Sequence, residues 1–395
     1  MMASVEMRRD GGTLILALTG KIDSSNAPEI ETQIQALRQG QTFETLVLDF
    51  EKLEYITSAG LRIVLRLKRE IDDTRIINAR SEVYEVLEMT GFTDMMDVQK
   101  AYRVISVEGC EVIGVGANGR VYRIDPDTIV KVYLNPDSLP EIKRERELAR
   151  TAFVAGLPTA IPYDVVRVEG GGFGSVFELL NATSFAKLLI RGEKTVDEVA
   201  QMSVDMLKLI HSKEVSPGAV PDMRAVALGW ADFLMDYLPG DQGSKLRALI
   251  EAVPVNMHLL HGDFHIKNIM LQNGESLLID MDTLCHGHPV FELASTYNAY
   301  CGFAANDHSV VEGYLGISFD QAALLWRRTL EYYLGTTDEA RLNDVQDKAR
   351  ILGQARIMRR TIRRGGLETP EGRAVIERSR ALLAEALPRV DSLLF

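Results

Sequence analysis

The sequence predicts two structural classes in one chain: an α/β unit over residues 1–102 and an α+β unit over residues 103–395. Three observations carry this. Strand, capping cluster and helix alternate through residues 13–92. From residue 102 the pattern changes to short strands punctuated by glycine, and then to long amphipathic helices. Within that helical part, residues 261–282 (HGDFHIKNIMLQNGESLLIDMD) keep to neither regular period before entering a turn and a short apolar run.

In the first unit, residues 13–18 are a strand candidate. Residues 23–26 are a capping cluster ahead of a helix with Pro28 in its first turn and Ile30, Ile34 and Leu37 as its apolar positions. Residues 45–50 (TLVLDF) make a second strand, and Thr57 and Ser58 stand at the start of a helix carrying Leu61, Val64, Leu65 and Leu67. A third strand at 74–78 and a short helix with Val83, Val86 and Leu87 lead to Thr90, Gly91 and Phe92.

The stretches LTGKIDSSNAPEIE, LVLDFEKLEYITSAGLRIVL and VYEVLEMTGF resemble the STAS domains of bacterial anti-sigma factor antagonists, over residues 5–99. The resemblance implies a STAS-type βα domain with an anti-sigma factor or another STAS-binding protein as partner. It also implies phosphorylation of a Ser or Thr at the start of the second helix, which in YITSAG points to Ser58, with Thr57 as the second candidate. Orphan backbone N–H groups at a helix N-terminus accept a capping hydroxyl or an added phosphate, so plain capping is the competing reading. The sequence departs from the family in lacking the acidic residue that often precedes the serine, and in having Ala59 where a second hydroxyl is common.

No Gly-, Pro- or Ser-rich linker separates the two units, so the boundary near residue 102 rests on the change of pattern. Residues 113–122 (IGVGANGRVY) place Gly114, Gly116 and Gly119 ahead of an extended segment and an Asp-Pro-Asp turn. A dinucleotide-binding turn requires a helix directly after its glycines. The extended residues favour a glycine-rich hairpin closing over phosphates. Lys131, flanked by Ile129, Val130 and Val132, is placed to pair with nucleotide phosphates and to be held by a glutamate of the charged helix at 140–155, where Glu145 and Glu147 are both available.

In residues 261–282, Asp263 and Asn268 sit in a loop pinned by Phe264, Ile266, Ile269 and Met270. Asn273 and Gly274 turn the chain, and residues 277–279 suit a strand buried on both faces, with Asp280 at its end. Phosphoryl transfer requires metal ions on the nucleotide phosphates and a carboxylate facing the attacking hydroxyl. Asp263, Asn268 and Asp280 are the residue types for that task. The competing reading has the loop residues tying down backbone only.

The stretches HGDFHIKNIM, LLIDMDTLCHGHPVFELA and ERELARTAFVAGLPTAIPYDVV resemble the aminoglycoside phosphotransferase and choline kinase group over residues 110–300. The resemblance implies a two-lobed protein-kinase-like fold, with the N-lobe over 103–180 and the C-lobe over 181–395. It implies transfer of the γ-phosphoryl group of ATP, with Mg²⁺, to a hydroxyl of a small molecule or of a protein Ser or Thr. It selects Glu145 over Glu147, makes Asp263 the catalytic base and Asn268 and Asp280 the Mg²⁺ ligands, and sets Glu178 to Leu180 as the hinge whose backbone meets adenine. Glu292 stands where the group usually has Asp. The alternative is a non-catalytic partner-switching regulator whose kinase-like part binds nucleotide or nothing.

Composition narrows the classes further. With 46% hydrophobic and 25% charged residues the chain is ordinary for a soluble globular protein. A net charge of −12 argues against nucleic acid as the main partner. The chain opens on no signal-peptide pattern and no run approaches about 18 apolar residues, so no membrane is expected. Cys110, Cys285 and Cys301 are too few and too scattered for a disulfide framework or a thiolate zinc site, which makes a cytoplasmic location the expectation. His261, His265, His286 and His288 lack a third ligand at metal spacing, and the first two read as loop organisers. Helices are expected at 196–211, 230–237, 244–253, 321–334 and 341–364. The last carries eight Lys or Arg against two Asp, a pattern suited to an anionic substrate, a docking partner or a solvated face.

Overall fold

The computed structural model describes residues 3–116 and 119–395. Two compact units divide the chain: residues up to Glu108 together with Val165–Gly171, and Gly109–Asp164 together with Gly172–Phe395.

The first unit opens with a strand outside the expected set, Ser4–Asp10, which turns back through Gly11 (φ +57) to pair antiparallel with Thr13–Ile22. Thr45–Ile56, Thr74–Ala79 and Val98–Lys100 follow in parallel, in that spatial order. The strands expected at 13–18 and 45–50 run on to Ile22 and Ile56 because apolar residues continue to meet the core, through Leu53 and Ile56 in the second case. Leu14, Leu16, Leu46, Leu48 and Phe50 pack with Ile30 and Ile34 of helix Ala27–Arg38 and with Leu61, Val64 and Leu67 of helix Ser58–Glu70. The capping cluster at 23–26 builds a turn instead of a side-chain cap. Asn26 Oδ1 accepts from the Asp23 amide at 3.0 Å, and Asp23 Oδ1 accepts from the Ser25 amide at 2.8 Å. Val104–Ile105 pairs in parallel with Asp164–Val168.

In the second unit, Phe173–Glu178, Thr128–Tyr133, Gly119–Asp125 and Glu111–Val115 lie side by side and antiparallel. Helix Leu139–Val154 buries Ile142, Leu148, Ala149 and Ala152. The helical part contains Val196–His211, started by a capping box of Thr195 and Glu198, and Phe319–Leu334, started by one of Ser318 and Gln321. The helices expected at 230–237 and 244–253 are Met223–Leu234 and Gly240–Glu251. Asp222 moves the first start upstream by accepting from the Arg224 amide. Helices Pro289–Tyr297, Ser309–Leu315 and Pro370–Ala386 lie outside the expected set, and Glu339–Arg363 packs on the last of them.

Ile269–Gln272 and Glu275–Leu278 form a hairpin whose two central residues, Asn273 (φ +51) and Gly274 (φ +85), both take positive φ, as a two-residue turn of this hand demands. Two expectations are corrected here. Ile269 and Met270 belong to a strand and not to the loop, and the strand before Asp280 is covered on one side only, running from exposed Glu275 to buried Leu278. Among the described residues no helix is long and apolar enough to cross a membrane.

Helix Ser58–Glu70 lies so close to the sheet that a Cβ on Gly60 would stand 2.6 Å from Ile56 Cγ1 and 2.9 Å from Ile22 Cγ2. Gly60→Val is therefore expected to destabilise the first unit by about 1–3 kcal/mol, the usual cost of overpacking. Urea unfolding of parent and variant measures it.

Candidate active site

Alternation along Thr128–Tyr133 sends Val130 into the core and leaves Lys131 half-buried on the other face. The Lys131 ammonium lies 2.8 Å from Glu145 Oε1 and 3.2 Å from Asp280 Oδ1. Tyr133 donates to the other oxygen of Glu145. Of the two glutamates available on the helix, Glu145 is buried against Lys131 and Glu147 is exposed. Burial alone would lower the Lys131 pKa, but the carboxylates of Asp280 and Glu145 outweigh it and hold the value above that of an ordinary lysine. Gly116 donates its amide to Gly119 O at 2.9 Å, and a Cβ on Gly119 would collide with Val132 O, so only glycine lets this hairpin approach the lysine strand. Gly114 lies opposite Val121 in the same hairpin. Ala117 and Asn118 lie outside the described residues.

The loop carrying Asp263 is held from several sides. Buried Glu292 accepts from the amides of His261 and, at 3.0 Å, Gly262. Thr283 Oγ1 donates to His261 O at 2.9 Å, and Ser295 Oγ and Arg356 Nη1 donate to Gly262 O at 2.8 and 3.0 Å. Gly262 has φ +80, and a Cβ there would collide with Thr283 O. His261 Nδ1 accepts from the Asp263 amide, which leaves Nε2–H to donate to Ile279 O at 3.1 Å. His265 Nδ1 accepts from the Lys267 amide, with Nε2 against Tyr314 Oη and 3.5 Å from Asp263 Oδ2. Both histidines thus organise the loop. Asn268 Nδ2 donates to Asp263 O at 3.0 Å, turning its amide oxygen toward other partners.

Burial would raise the Asp263 pKa, but the His265 hydrogen bond and the charges of His265, Arg356 and His261 bring it down to about 2. The carboxylate is ionised at any ordinary pH. Asp282, which the sequence reading did not single out, is raised by burial and by the neighbouring Asp280. Its place two residues after Asp280 was the available signal. Asn268, Asp280 and Asp282 are hard oxygen donors. Among the described residues there is no cluster of three or more His, Cys, Asp or Glu arranged around a metal. That set fits Mg²⁺, which is typically bound through one or two carboxylates with nucleotide phosphates completing the shell.

Glu178 ends its strand, and the Leu179 amide is spent on Asp127 O at 2.8 Å. Glu178 and Leu180 line a cavity of about 320 Å³ with Phe153, Ile161, Tyr163 and Leu277, and neither Lys131 nor Asp280 lines it. On the first unit, Ser58 is the exposed opening residue of its helix. Thr57 occupies the N-cap position with its hydroxyl buried, unpartnered and not capping. Arg356, Ser295 and Thr283 were also missed by sequence reasoning. Only the basic run at 341–364 hinted at the first.

Residues 109–332 match the family model described as the phosphotransferase enzyme family, and residues 4–105 match the STAS domain. A Bordetella bronchiseptica protein named as an anti-sigma factor antagonist, BtrV, is 33% identical over 97 residues, covering 23% of this chain and 82% of its own. The anti-sigma F factor antagonist of Paenibacillus polymyxa is 24% identical over 102 residues, covering 25% of this chain and 87% of its own. A thermostable mutant of the aminoglycoside phosphotransferase APH(4)-Ia, solved with ADP and hygromycin B, superposes with a TM-score of 0.50 at 13% identity, covering 78% of this chain and 98% of that one. That likeness shows the fold.

Glu292→Ala leaves two buried amides without an acceptor and is expected to cost about 2–6 kcal/mol, at about 1–3 for each unsatisfied group. Denaturant unfolding measures this. Burial raises the Glu292 pKa to about 7, against the two amides that lower it. A raised carboxyl pKa contributes stability that is complete below the ordinary value of 4.5 and lost as pH rises through the folded value. The stability of the parent relative to Glu292→Gln is therefore expected to fall between those two pH values.

Proposed function

The chain belongs to the phosphotransferase enzyme family and carries a STAS domain at its N-terminal side, and from that premise we propose that it transfers the γ-phosphoryl group of ATP to a hydroxyl acceptor. One observation carries the reading: Lys131, Glu145 and Asp280, from three separate elements, meet in one ion-paired cluster. The loop bearing Asp263 and Asn268 belongs to the same assembly, because the Ile279 amide, next to Asp280, donates to Asn268 O at 3.0 Å.

Lys131 would pair with the nucleotide phosphates, positioned by Glu145, with the backbone at Gly114, Gly116 and Gly119 set to lie over them. Asn268 and Asp280 would hold Mg²⁺, which neutralises phosphate charge when bound. Asp263 faces the acceptor, orients its hydroxyl, and takes the proton as the oxygen bonds to the γ-phosphorus and the bond to the ADP oxygen breaks. With a pKa of about 2, Asp263 is a weak base, so it acts mainly by orientation and accepts the proton late, in keeping with a loose transition state. A regulator without chemistry would not need a buried lysine held by two carboxylates. We assign the hinge role to Glu178 and Leu180 by position.

The test is phosphate transfer from labelled ATP by the purified chain. Asp263→Ala is expected to lower turnover by about 10²- to 10⁴-fold, the range of a positioned acid–base group, with nucleotide binding retained. Equal turnover in parent and variant would remove Asp263 from the mechanism, and absence of nucleotide binding in the parent would favour the regulator.

Ser58 is exposed at a helix N-terminus, whereas the Thr57 hydroxyl is buried. If the STAS unit is a target of this or a partner kinase, mass spectrometry is expected to find phosphate on Ser58 and not on Thr57. Label on Thr57 alone would contradict the placement.

A further inference from the structure

Helix Glu339–Arg363 carries its basic residues in two groups that the structure treats differently. Arg341 and Lys348 reach Asp344 at 3.5 and 2.7 Å, and Arg350 reaches Asp347 at 3.5 Å. Arg356, Arg359, Arg360, Arg363 and the C-cap residue Arg364 have no carboxylate partner among the described residues. Three of these five are nevertheless held in place. The Arg356 guanidinium lies 5.9 Å from the Trp230 ring, Arg359 5.9 Å from Phe233, and Arg360 5.6 Å from Phe303. Arg356 spends N–H groups on Gly262 O and Ser295 Oγ. The Arg359 and Arg360 guanidinium groups make no hydrogen bond among the described residues, and Arg359 Nε is buried without a partner.

Arg360, Arg363 and Arg364 are exposed and Arg356 and Arg359 half-buried, so the group is open to a ligand on one side and anchored on the other. The Arg359 and Arg360 guanidinium groups, held near aromatic rings and without hydrogen bonds of their own, keep N–H donors that match carboxylate and phosphate geometry. Gathering five like charges with no carboxylate in direct contact among the described residues costs free energy. The groups acting on Arg360 are Arg364 and Arg356, which disfavour its charge as burial does, and Asp263 and Tyr314, which favour it. Arg356, bonded to the carbonyl of Gly262, and Arg360 therefore stand at the Asp263 end of the group. From Arg356 to Arg364 it spans about 12 Å of helix, the size of one or two anionic groups.

Resting on the reading of Asp263 as the acceptor-facing carboxylate, we propose that the acceptor is itself an anion: a small hydroxyl compound bearing a carboxylate or phosphate, whose charged group is received by Arg359 and Arg360. A polyamine acceptor would meet five uncompensated cations. An anionic one would otherwise be repelled by Asp263 and by the nucleotide phosphates, and the arginines offset that repulsion.

The deciding measurement is calorimetric titration of the full chain with sodium sulfate, at constant ionic strength and with Mg·ADP present. The parent is expected to bind sulfate. Arg360→Gln, at an exposed position, is expected to weaken binding by about 10- to 100-fold, the worth of a charge-assisted hydrogen bond. Arg360→Lys should retain part of it, and Arg341→Gln, in the paired part of the helix, all of it. Sulfate affinity that is absent in the parent or unchanged in Arg360→Gln overturns the proposal. Labelled-ATP transfer to glycerate, glycerol and kanamycin gives the second readout, with glycerate expected to lead and to lose that lead in Arg360→Gln. Transfer favouring kanamycin or glycerol, or confined to Ser58, overturns it. Sulfate binding needs no turnover, so a failure of phosphate transfer is seen separately, in the parent and in Asp263→Ala.

Discussion

The second unit depends on an ammonium group that has no reason to be half-buried except for its partners. Lys131 sits between Glu145 and Asp280, the latter 149 residues away in the chain. Removing an ammonium from water costs several kcal/mol unless opposite charge meets it. Once it is met from two sides, the lysine strand, the helix Leu139–Val154 and the segment after Leu278 cannot move independently. Tyr133 extends the constraint by occupying the second oxygen of Glu145, which fixes the rotation of that carboxylate. Asp280 takes a left-handed backbone conformation (φ +65) at this point, a conformation an aspartate tolerates better than most side chains.

The loop with Asp263 is the second fixed point, and it is positioned almost wholly by residues that follow it. Glu292 satisfies two successive amides, Thr283 and Ser295 bond successive carbonyls, and Arg356 reaches in from the long helix. The buried Glu292 carboxylate makes its contacts with two backbone amides and, among the described residues, with no cation in direct contact, so its length is used to reach the loop backbone. The Arg356 contact ties the loop backbone to the helix bearing the arginine cluster, so the Asp263 loop and that helix are held together.

Charge is therefore distributed by task in a chain with a net charge of −12. Along one helix the first three basic residues are paired with nearby acids, while the last five have no carboxylate partner among the described residues. Hydropathy and net charge hide this distribution, because it depends on which acids come within reach in space.

Local physics made much of the fold legible from the sequence alone. The βα alternation, the Asn273-Gly274 hairpin turn, the helix at 196–211 with its capping box, and the lysine between apolar neighbours all express preferences that act within a few residues. Misjudged elements were those governed at longer range. Ser4–Asp10 is a strand because Thr13–Ile22 lies beside it, and residues 277–279 are not doubly buried because the hairpin leaves one face open. The helices near 230 and 244 were displaced by starts that periodicity does not mark. Spacing and residue type also named Lys131, Asp263, Asn268 and Asp280, but offered both Glu145 and Glu147 as partners. The family resemblance chose Glu145, and the tertiary structure supplies the physical reason by turning Glu145 into the core against Lys131 and Glu147 to solvent. The tertiary structure alone brought Arg356 to the loop, because contacts between residues far apart in the chain leave no periodic trace in it.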